Sequence, residues 1–220
     1  MFLSQDKRIA ERKTGAEMLY YMFNKPQGCV TARTDAVHRT VMDYFPPELA
    51  EKLHPVGRLD KDTCGLLILT DDGDLDFRIM QPDRHISKTY FFYAIGSVTA
   101  EKVRQLEGGI AMSGLTAKPA EFRLISEYRI RELEQYIPPE RRERYMKNPD
   151  GAAFAAELTV REGKKHQVRR MLEAVGCRIF YLRRESIGAL NLDPSLGEGE
   201  YRLLSESEAE MLTQAARKYK

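Results

Sequence analysis

The strongest constraint on this chain is a block of four apolar residues, Leu66-Leu67-Ile68-Leu69, set between Asp60-Lys61-Asp62 and Asp71-Asp72-Gly73-Asp74. A short apolar run bounded by turn signals reads as a buried strand. It is among the longest such runs in 220 residues, far below the roughly 18 needed to cross a membrane. No apolar core follows the first three residues, so no secretory signal is expected. A chain of this length buries a core without disulfide or metal staples. Its three cysteines, Cys29, Cys64 and Cys177, are odd in number and far apart. That usage fits free thiols and a cytoplasmic location.

Other elements follow from local signals. Residues 1–16 are polar and unperiodic, and read as a flexible arm or a poorly packed helix. Residues 19–23 form a strand candidate, closed by the turn Asn24-Lys25-Pro26-Gln27-Gly28. Thr40 and Asp43 make a helix-start box that Pro46-Pro47 ends. Residues 54–60 read as a loop, 74–80 as a helix and 86–98 as a long strand. Thr99 caps a short helix that Gly108-Gly109 closes. Residues 127–150 look inserted, either as two short helical stretches around Pro138-Pro139 or as a mobile loop. Residues 155–160 and 179–182 are further strands. Between them, Val168, Met171, Leu172 and Val175 recur at helical spacing, with Gly176 at the cap position and Gln167, Arg170 and Glu173 on the other face. Ser205 and Glu208 box the start of a last helix, expected through Lys218. Strands and helices do not alternate regularly. The fold class expected is α+β, with a mostly antiparallel sheet.

With 42% hydrophobic and 31% charged residues the chain is globular, and its net charge is only +2. The balance is uneven. Between Arg161 and Arg184 eight positives meet two negatives, a local +6 that leaves the remainder at −4. A basic stretch in an acidic chain is the footprint of a polyanion partner, although charge runs are more often solvated faces. His166 and Gln167 inside the run favour a site.

The chain lacks phosphate-loop, dinucleotide, zinc-protease, zinc-ribbon and α/β-hydrolase motifs. Its cysteines and four histidines are not at ligand spacing, so no metal is expected. A partial calcium-loop match from Asp60 to Asp71 fails where Cys64 replaces an oxygen ligand. Asp60 is the carboxylate of interest. It follows Arg58 in a glycine-containing loop and precedes the buried strand, so it must be solvated, paired or used. A turn-capping role is the bland alternative.

At this point the residues resemble a family. Gly57-Arg58-Leu59-Asp60, within H-P-V-G-R-L-D-K-D-T-C-G-L-L-I-L-T-D-D-G, looks like the catalytic motif of RNA pseudouridine synthases of the RsuA-like branch, which modifies ribosomal RNA. The resemblance runs through Asn24-Lys25-Pro26-Gln27-Gly28, Lys88-Thr89-Tyr90 and Glu162-Gly163-Lys164-Lys165-His166-Gln167-Val168-Arg169-Arg170-Met171. It closes with Arg184-Glu185-Ser186-Ile187-Gly188 and Gly199-Glu200-Tyr201-Arg202, covering roughly residues 19–205. Many members carry an N-terminal S4-like RNA-binding domain, for which residues 1–16 are too short.

The resemblance implies a catalytic domain over residues 17–220, with two subdomains sharing one sheet and a central active-site cleft. It implies isomerisation of uridine in ribosomal RNA, without cofactor or membrane, by a monomer. Asp60 would be the essential carboxylate, attacking a carbon or removing a ribose proton. Arg169 would pair with it, and Tyr90 would stack on uracil or handle the C5 proton. In isolation Tyr90 reads as a core aromatic. Arg58, Lys164, Lys165, His166, Gln167 and Arg170 would contact RNA, chiefly through phosphates. Two other classes compete: a non-catalytic ribosomal-RNA binder or assembly factor on the same fold, and an RNA hydrolase using aspartates with Mg²⁺.

Overall fold

A computed structural model describes residues 18–81, 86–112 and 114–217. Its strands, in chain order, are β1 (Tyr20–Lys25), β2 (His54–Val56), β3 (Cys64–Thr70), β4 (Lys88–Ile95), β5 (Ala111–Met112), β6 (Leu115–Thr116), β7 (Glu121–Arg129), β8 (Ala152–Val160), β9 (Arg178–Ile187), β10 (Leu190–Asn191) and β11 (Tyr201–Leu203). The helices are α1 (Pro47–Ala50), α2 (Gly73–Met80), α3 (Ala100–Gly108), α4 (Pro139–Tyr145), α5 (Gln167–Ala174) and α6 (Glu206–Arg217). Two 3₁₀ helices span Val41–Tyr44 and Ile130–Tyr136.

The apolar run is the strand β3, buried along its whole length. Its alternate side chains serve two cores. Leu66 and Ile68 join Met22, Leu75, Ile79 and Leu212 beneath α2 and α6. Leu67 and Leu69 face the other way and pack with Tyr21, Phe23, Val41 and Phe45. A strand covered on both faces needs an unbroken apolar sequence, whereas a half-exposed strand alternates. In the other half of the sheet, Phe92, Phe154, Leu158, Met171 and Leu172 form a core under α5. Ile130, Leu133, Ile137 and Tyr145 close the opposite face over Phe180. The segment read as inserted is thus two short helices around Pro138 that cover the back of the sheet; β7 reaches Arg129 before they begin.

The main sheet runs β11-β1-β3-β9-β4-β8-β7, with β2 on β3 and β10 on β9. Among the described residues every main-sheet pairing is antiparallel except one, β3 with β9. The expected α+β class with a mostly antiparallel sheet is therefore observed. The parallel seam is short, with Cys64 opposite Arg183 and Gly65 opposite Arg184. Gly65 permits this approach. Its φ is +100°, and a Cβ there would overlap Arg184 O and lie 2.7 Å from Arg184 N.

Helix ends follow the sequence signals. Asp72 caps α2 by accepting from Leu75 N at 3.0 Å, and Thr99 caps α3 through Lys102 N at 3.3 Å. Ser205 N donates to Glu208 Oε2 at 2.8 Å at the start of α6. Three readings change. Residues 54–56 pair with β3 rather than looping, because Pro55 sits on an edge strand where a missing N–H is tolerated. Strand β9 continues to Ile187 through charged residues, because Arg184 finds a buried acceptor. The Pro46-Pro47 stop holds, since the 3₁₀ helix ends at Tyr44, but Pro47 also opens α1, a helix the sequence did not lead us to expect. The N-terminal arm and Lys218 lie outside the described residues.

Gly65→Ala is expected to destabilise the protein by about 3 kcal/mol or more, since it combines left-handed strain with a backbone clash. Urea unfolding against wild type measures this. A loss below about 1 kcal/mol would show that the seam can open without penalty.

Candidate active site

Strands β4 and β9, beside the seam with β3, form the floor of a cleft of about 530 Å³. Loop 57–63 forms one wall, and residues 162–169 form the other. Eight of the nine sequence-predicted site residues line it: Arg58, Asp60, Tyr90, Lys164, Lys165, His166, Gln167 and Arg169. Arg170 does not.

The loop that carries Asp60 is held from below by Lys25. This lysine is fully buried, and its Nζ donates to Pro26 O at 3.0 Å, Asp60 O at 3.1 Å and Thr63 O at 2.9 Å. Three carbonyls exhaust the three donors of an ammonium. Burial pulls its pKa below the ordinary lysine value, opposed by Cys29, Cys64, Asp62 and Asp60. Thr31 adds a further clamp, with its Oγ1 donating to Leu59 O at 2.8 Å and accepting from Leu59 N at 3.1 Å. The Asp60 carboxylate stays about one-third exposed, and His166 Nε2 lies 3.4 Å from its Oδ1.

The expected ion pair of Asp60 with Arg169 is not the one formed. Arg169 Nη2 meets Asp62 Oδ2 at 3.0 Å and Asp62 O at 3.0 Å, while Nη1 donates to Ile179 O at 3.3 Å. Asp62 offsets more of the burial penalty on Arg169 than Asp60 does. The arginine therefore ties the loop to α5 and β9 two residues beyond the carboxylate that the sequence pattern gave it.

His166 is the one non-glycine among the described residues with positive φ, at +52°. Such a conformation is sparsely populated outside glycine and often accompanies functional sites. It places the imidazole at the start of α5, facing Asp60.

The basic wall is more structural than the sequence suggests. Glu162 is buried and accepts from Lys118 N at 2.9 Å and Gln167 Nε2 at 2.6 Å. Lys164 Nζ is bound to Thr116 O at 2.5 Å and to Glu162 Oε2 at 3.1 Å. Gln167 is itself buried, so its place on the solvent face of α5 is corrected: it holds the loop rather than offering itself to a ligand. Arg58, Lys165 and His166 remain exposed at the rim.

Tyr90 packs against two cores and faces the cleft from β4. Opposite it in register stands Arg184, and Lys88 is two residues before it on the same side. Both cations are buried. Sequence reasoning gave no role to Lys25, Lys88, Arg184 or Glu162, though all four lie in the quoted motifs. Charged residues inside strand-like segments were the available signal. No group of three His, Cys, Asp or Glu gathers to hold a metal among the described residues.

Comparison with known proteins decides the family. Residues 19–174 match the family model of the RNA pseudouridylate synthases. This chain belongs to that family. Among its relatives is an RNA pseudouridine synthase of Bacillus subtilis, YtzG, 38% identical over 200 residues that make up 90% of this chain and 74% of that protein. The ribosomal small subunit pseudouridine synthases A of Haemophilus influenzae and Escherichia coli are each 38% identical, over 88% and 86% of this chain and 73% and 71% of theirs. A crystal structure of a pseudouridylate synthase superposes with a TM-score of 0.74 at 37% identity, over 89% of this chain and 74% of that one. The cleft of the synthase thus lies where its two half-sheets meet. No helix among the described residues is long and apolar enough to cross a membrane.

The two buried lysines of the synthase predict opposite outcomes. Lys25→Met strands three carbonyls and should destabilise by about 2–4 kcal/mol. Lys88 has one long bond, to Ile86 O at 3.3 Å, and burial beside Arg184 pushes its pKa from 10.5 down to about 8. The unfolded chain then binds the proton more tightly. The penalty is full below pH 8 and disappears as pH rises toward 10.5. Lys88→Met should therefore stabilise by about 1–3 kcal/mol at pH 7, with the advantage narrowing above pH 8. Thermal melts of both variants across pH measure it. A less stable Lys88→Met would mean that the ammonium has a partner in the fold.

Proposed function

We propose that this synthase isomerises a uridine of ribosomal RNA to pseudouridine, with Asp60 as the essential carboxylate and no cofactor. The reaction breaks the N1–C1′ bond, turns the base and joins C5 to C1′. The proton lost from C5 is balanced by one gained at N1, so nothing is oxidised, reduced or hydrolysed. The observation that carries the reading is the Asp60 carboxylate, held by a pinned loop at a cleft that Tyr90 faces. Two roles fit it: covalent attack on a carbon, or removal of a ribose proton. Tyr90 presents a ring to stack on the uracil. His166, with its Nε2 3.4 Å from Asp60 Oδ1, would be the polar neighbour of that carboxylate.

Ribosomal RNA is favoured by relatives named for the small ribosomal subunit. A uridine in folded RNA must leave its stack to reach Asp60. Arg58, Lys165 and His166 at the rim suit phosphate contacts that position the strand without reading its sequence. Asp60, Tyr90 and Arg169 together favour the synthase over a non-catalytic binder on the same fold.

Purified protein incubated with unmodified small-subunit ribosomal RNA should form pseudouridine, mapped chemically. Asp60→Asn should abolish the product while leaving RNA affinity near wild type, because the swap keeps shape and removes charge. Turnover by a folded Asp60→Asn protein would remove Asp60 from the mechanism.

The two wall lysines separate in the same assay. Lys165→Ala should weaken RNA binding and flatten its salt dependence by about 0.7 in log–log slope for single-stranded RNA. Lys164→Ala should mainly lower the melting temperature, since its ammonium is spent on Glu162 and Thr116. Affinity over a salt series, with melts, tests both. An unchanged slope for Lys165→Ala would move the RNA contact elsewhere.

A further inference from the structure

The floor of the cleft holds two cations that the fold does not neutralise. Lys88 is 9% exposed and Arg184 only 2%. Among the described residues neither forms an ion pair. Lys88 Nζ has the carbonyl of Ile86 at 3.3 Å, and Arg184 Nε has that of Leu66 at 2.8 Å. Arg184 Nη2 is buried with no acceptor.

The carboxylates lining the same cleft are engaged elsewhere. Glu162 answers Lys164, Gln167 and the Lys118 amide, and Asp60 faces His166. Two adjacent buried like charges destabilise a fold, and an orphaned guanidinium nitrogen adds to the penalty. A ligand of opposite charge relieves both.

We propose that Lys88 and Arg184 form an anion subsite that takes a phosphate of the RNA strand, the one attached to the uridine that enters the cleft. The proposal rests on the function given above and adds where the nucleotide's phosphate is held. Register places the subsite beside the base position: Arg184 is the cross-strand partner of Tyr90, and Lys88 lies on the same face two residues earlier. A full negative charge, rather than a uracil carbonyl, matches two full positive ones, and a guanidinium fork suits phosphate oxygens. The subsite is distinct from the rim cations, because it lies inside the fold and is preorganised by the bond of Arg184 to β3. It selects no sequence. It sets how deep the nucleotide sits and so the distance between its ribose and Asp60.

Binding of uridine, 5′-UMP, 3′-UMP and inorganic phosphate to the full chain tests this by calorimetry and thermal shift, with no turnover needed. Wild type should bind one of the two nucleotides about tenfold more tightly than uridine, the scale of one charge-assisted contact. In Lys88→Met that preference should fall to within about twofold, in a protein at least as stable as wild type. Lys88 is the residue to change, because Arg184 also joins the two half-sheets. Lys165→Ala should keep the preference. The proposal fails if wild type treats nucleotides and uridine alike, including binding none of them. It fails equally if Lys88→Met keeps the preference, or if Lys165→Ala abolishes it, which would place the anion at the rim. Inorganic phosphate binding as tightly as the better nucleotide would also overturn it, as a free-anion site unrelated to RNA. A wild type that binds UMP through Lys88 yet leaves ribosomal RNA unmodified would sink the function and leave the subsite standing.

Discussion

A single buried ammonium organises the catalytic half of this molecule. Lys25 leaves β1 and spends its three donors on carbonyls of the turn that follows it and of the loop bearing Asp60. An unpaired charge at that depth would be prohibitive, but a fully bonded one is rigid, since no donor can be released without stranding it. The geometry of loop 57–63 is thereby fixed by backbone contacts. Among the described residues the Asp60 side chain meets only His166, and it lines the cleft. Preorganisation of this kind lets a carboxylate act without reorganising at the moment of reaction.

The position of the cleft follows from the sheet. Two antiparallel half-sheets meet at a parallel contact two residue pairs long, and at that contact Gly65 lets β3 lie against Arg184. The ladder between β3 and β9 spans only those two pairs, and segments from both halves line the cleft beside it. Asp60 arrives from the β3 side, and Tyr90 with His166 from the other. The apolar block 66–69 is the anchor on one side, buried on both faces. Arg184 is the anchor on the other, with its Nε on Leu66 O. Stability and site are therefore inseparable at the seam.

Most of the architecture was legible because it is written in periodicity and caps. The run 66–69, the helical spacing of Val168, Met171, Leu172 and Val175, and the caps at Thr99 and Ser205 all lead to the elements observed. Strand ends were less legible, for a physical reason. Strand β9 runs on through Arg183, Arg184 and Glu185, residues that propensity places in solvent, because Arg184 finds a carbonyl inside. The cleft lining was legible as motifs, but the division of labour within it was not. Gln167 and Lys164 lie in a basic run that reads as a ligand surface, and only the buried Glu162 reveals them as its partners. Lys25 and Lys88 look alike in sequence. Their environments differ by two carbonyl acceptors, which no local pattern encodes.

In the mechanism proposed above, the two aspartates of the loop divide the work: one is the candidate reacting carboxylate and the other takes the arginine. Asp62 is half-exposed and takes the Arg169 guanidinium directly. Had Asp60 taken it instead, a bidentate grip would have filled the lone pairs that an attacking or proton-abstracting carboxylate must present. Arg169 is coupled more strongly to Asp62 than to Asp60, and among the described residues the Asp60 oxygens face an imidazole at 3.4 Å. A contact of that length holds less firmly than a guanidinium at 3.0 Å. The arrangement leaves the Asp60 carboxylate with a single long contact and puts the firm ion pair two residues on, where it joins the loop to α5.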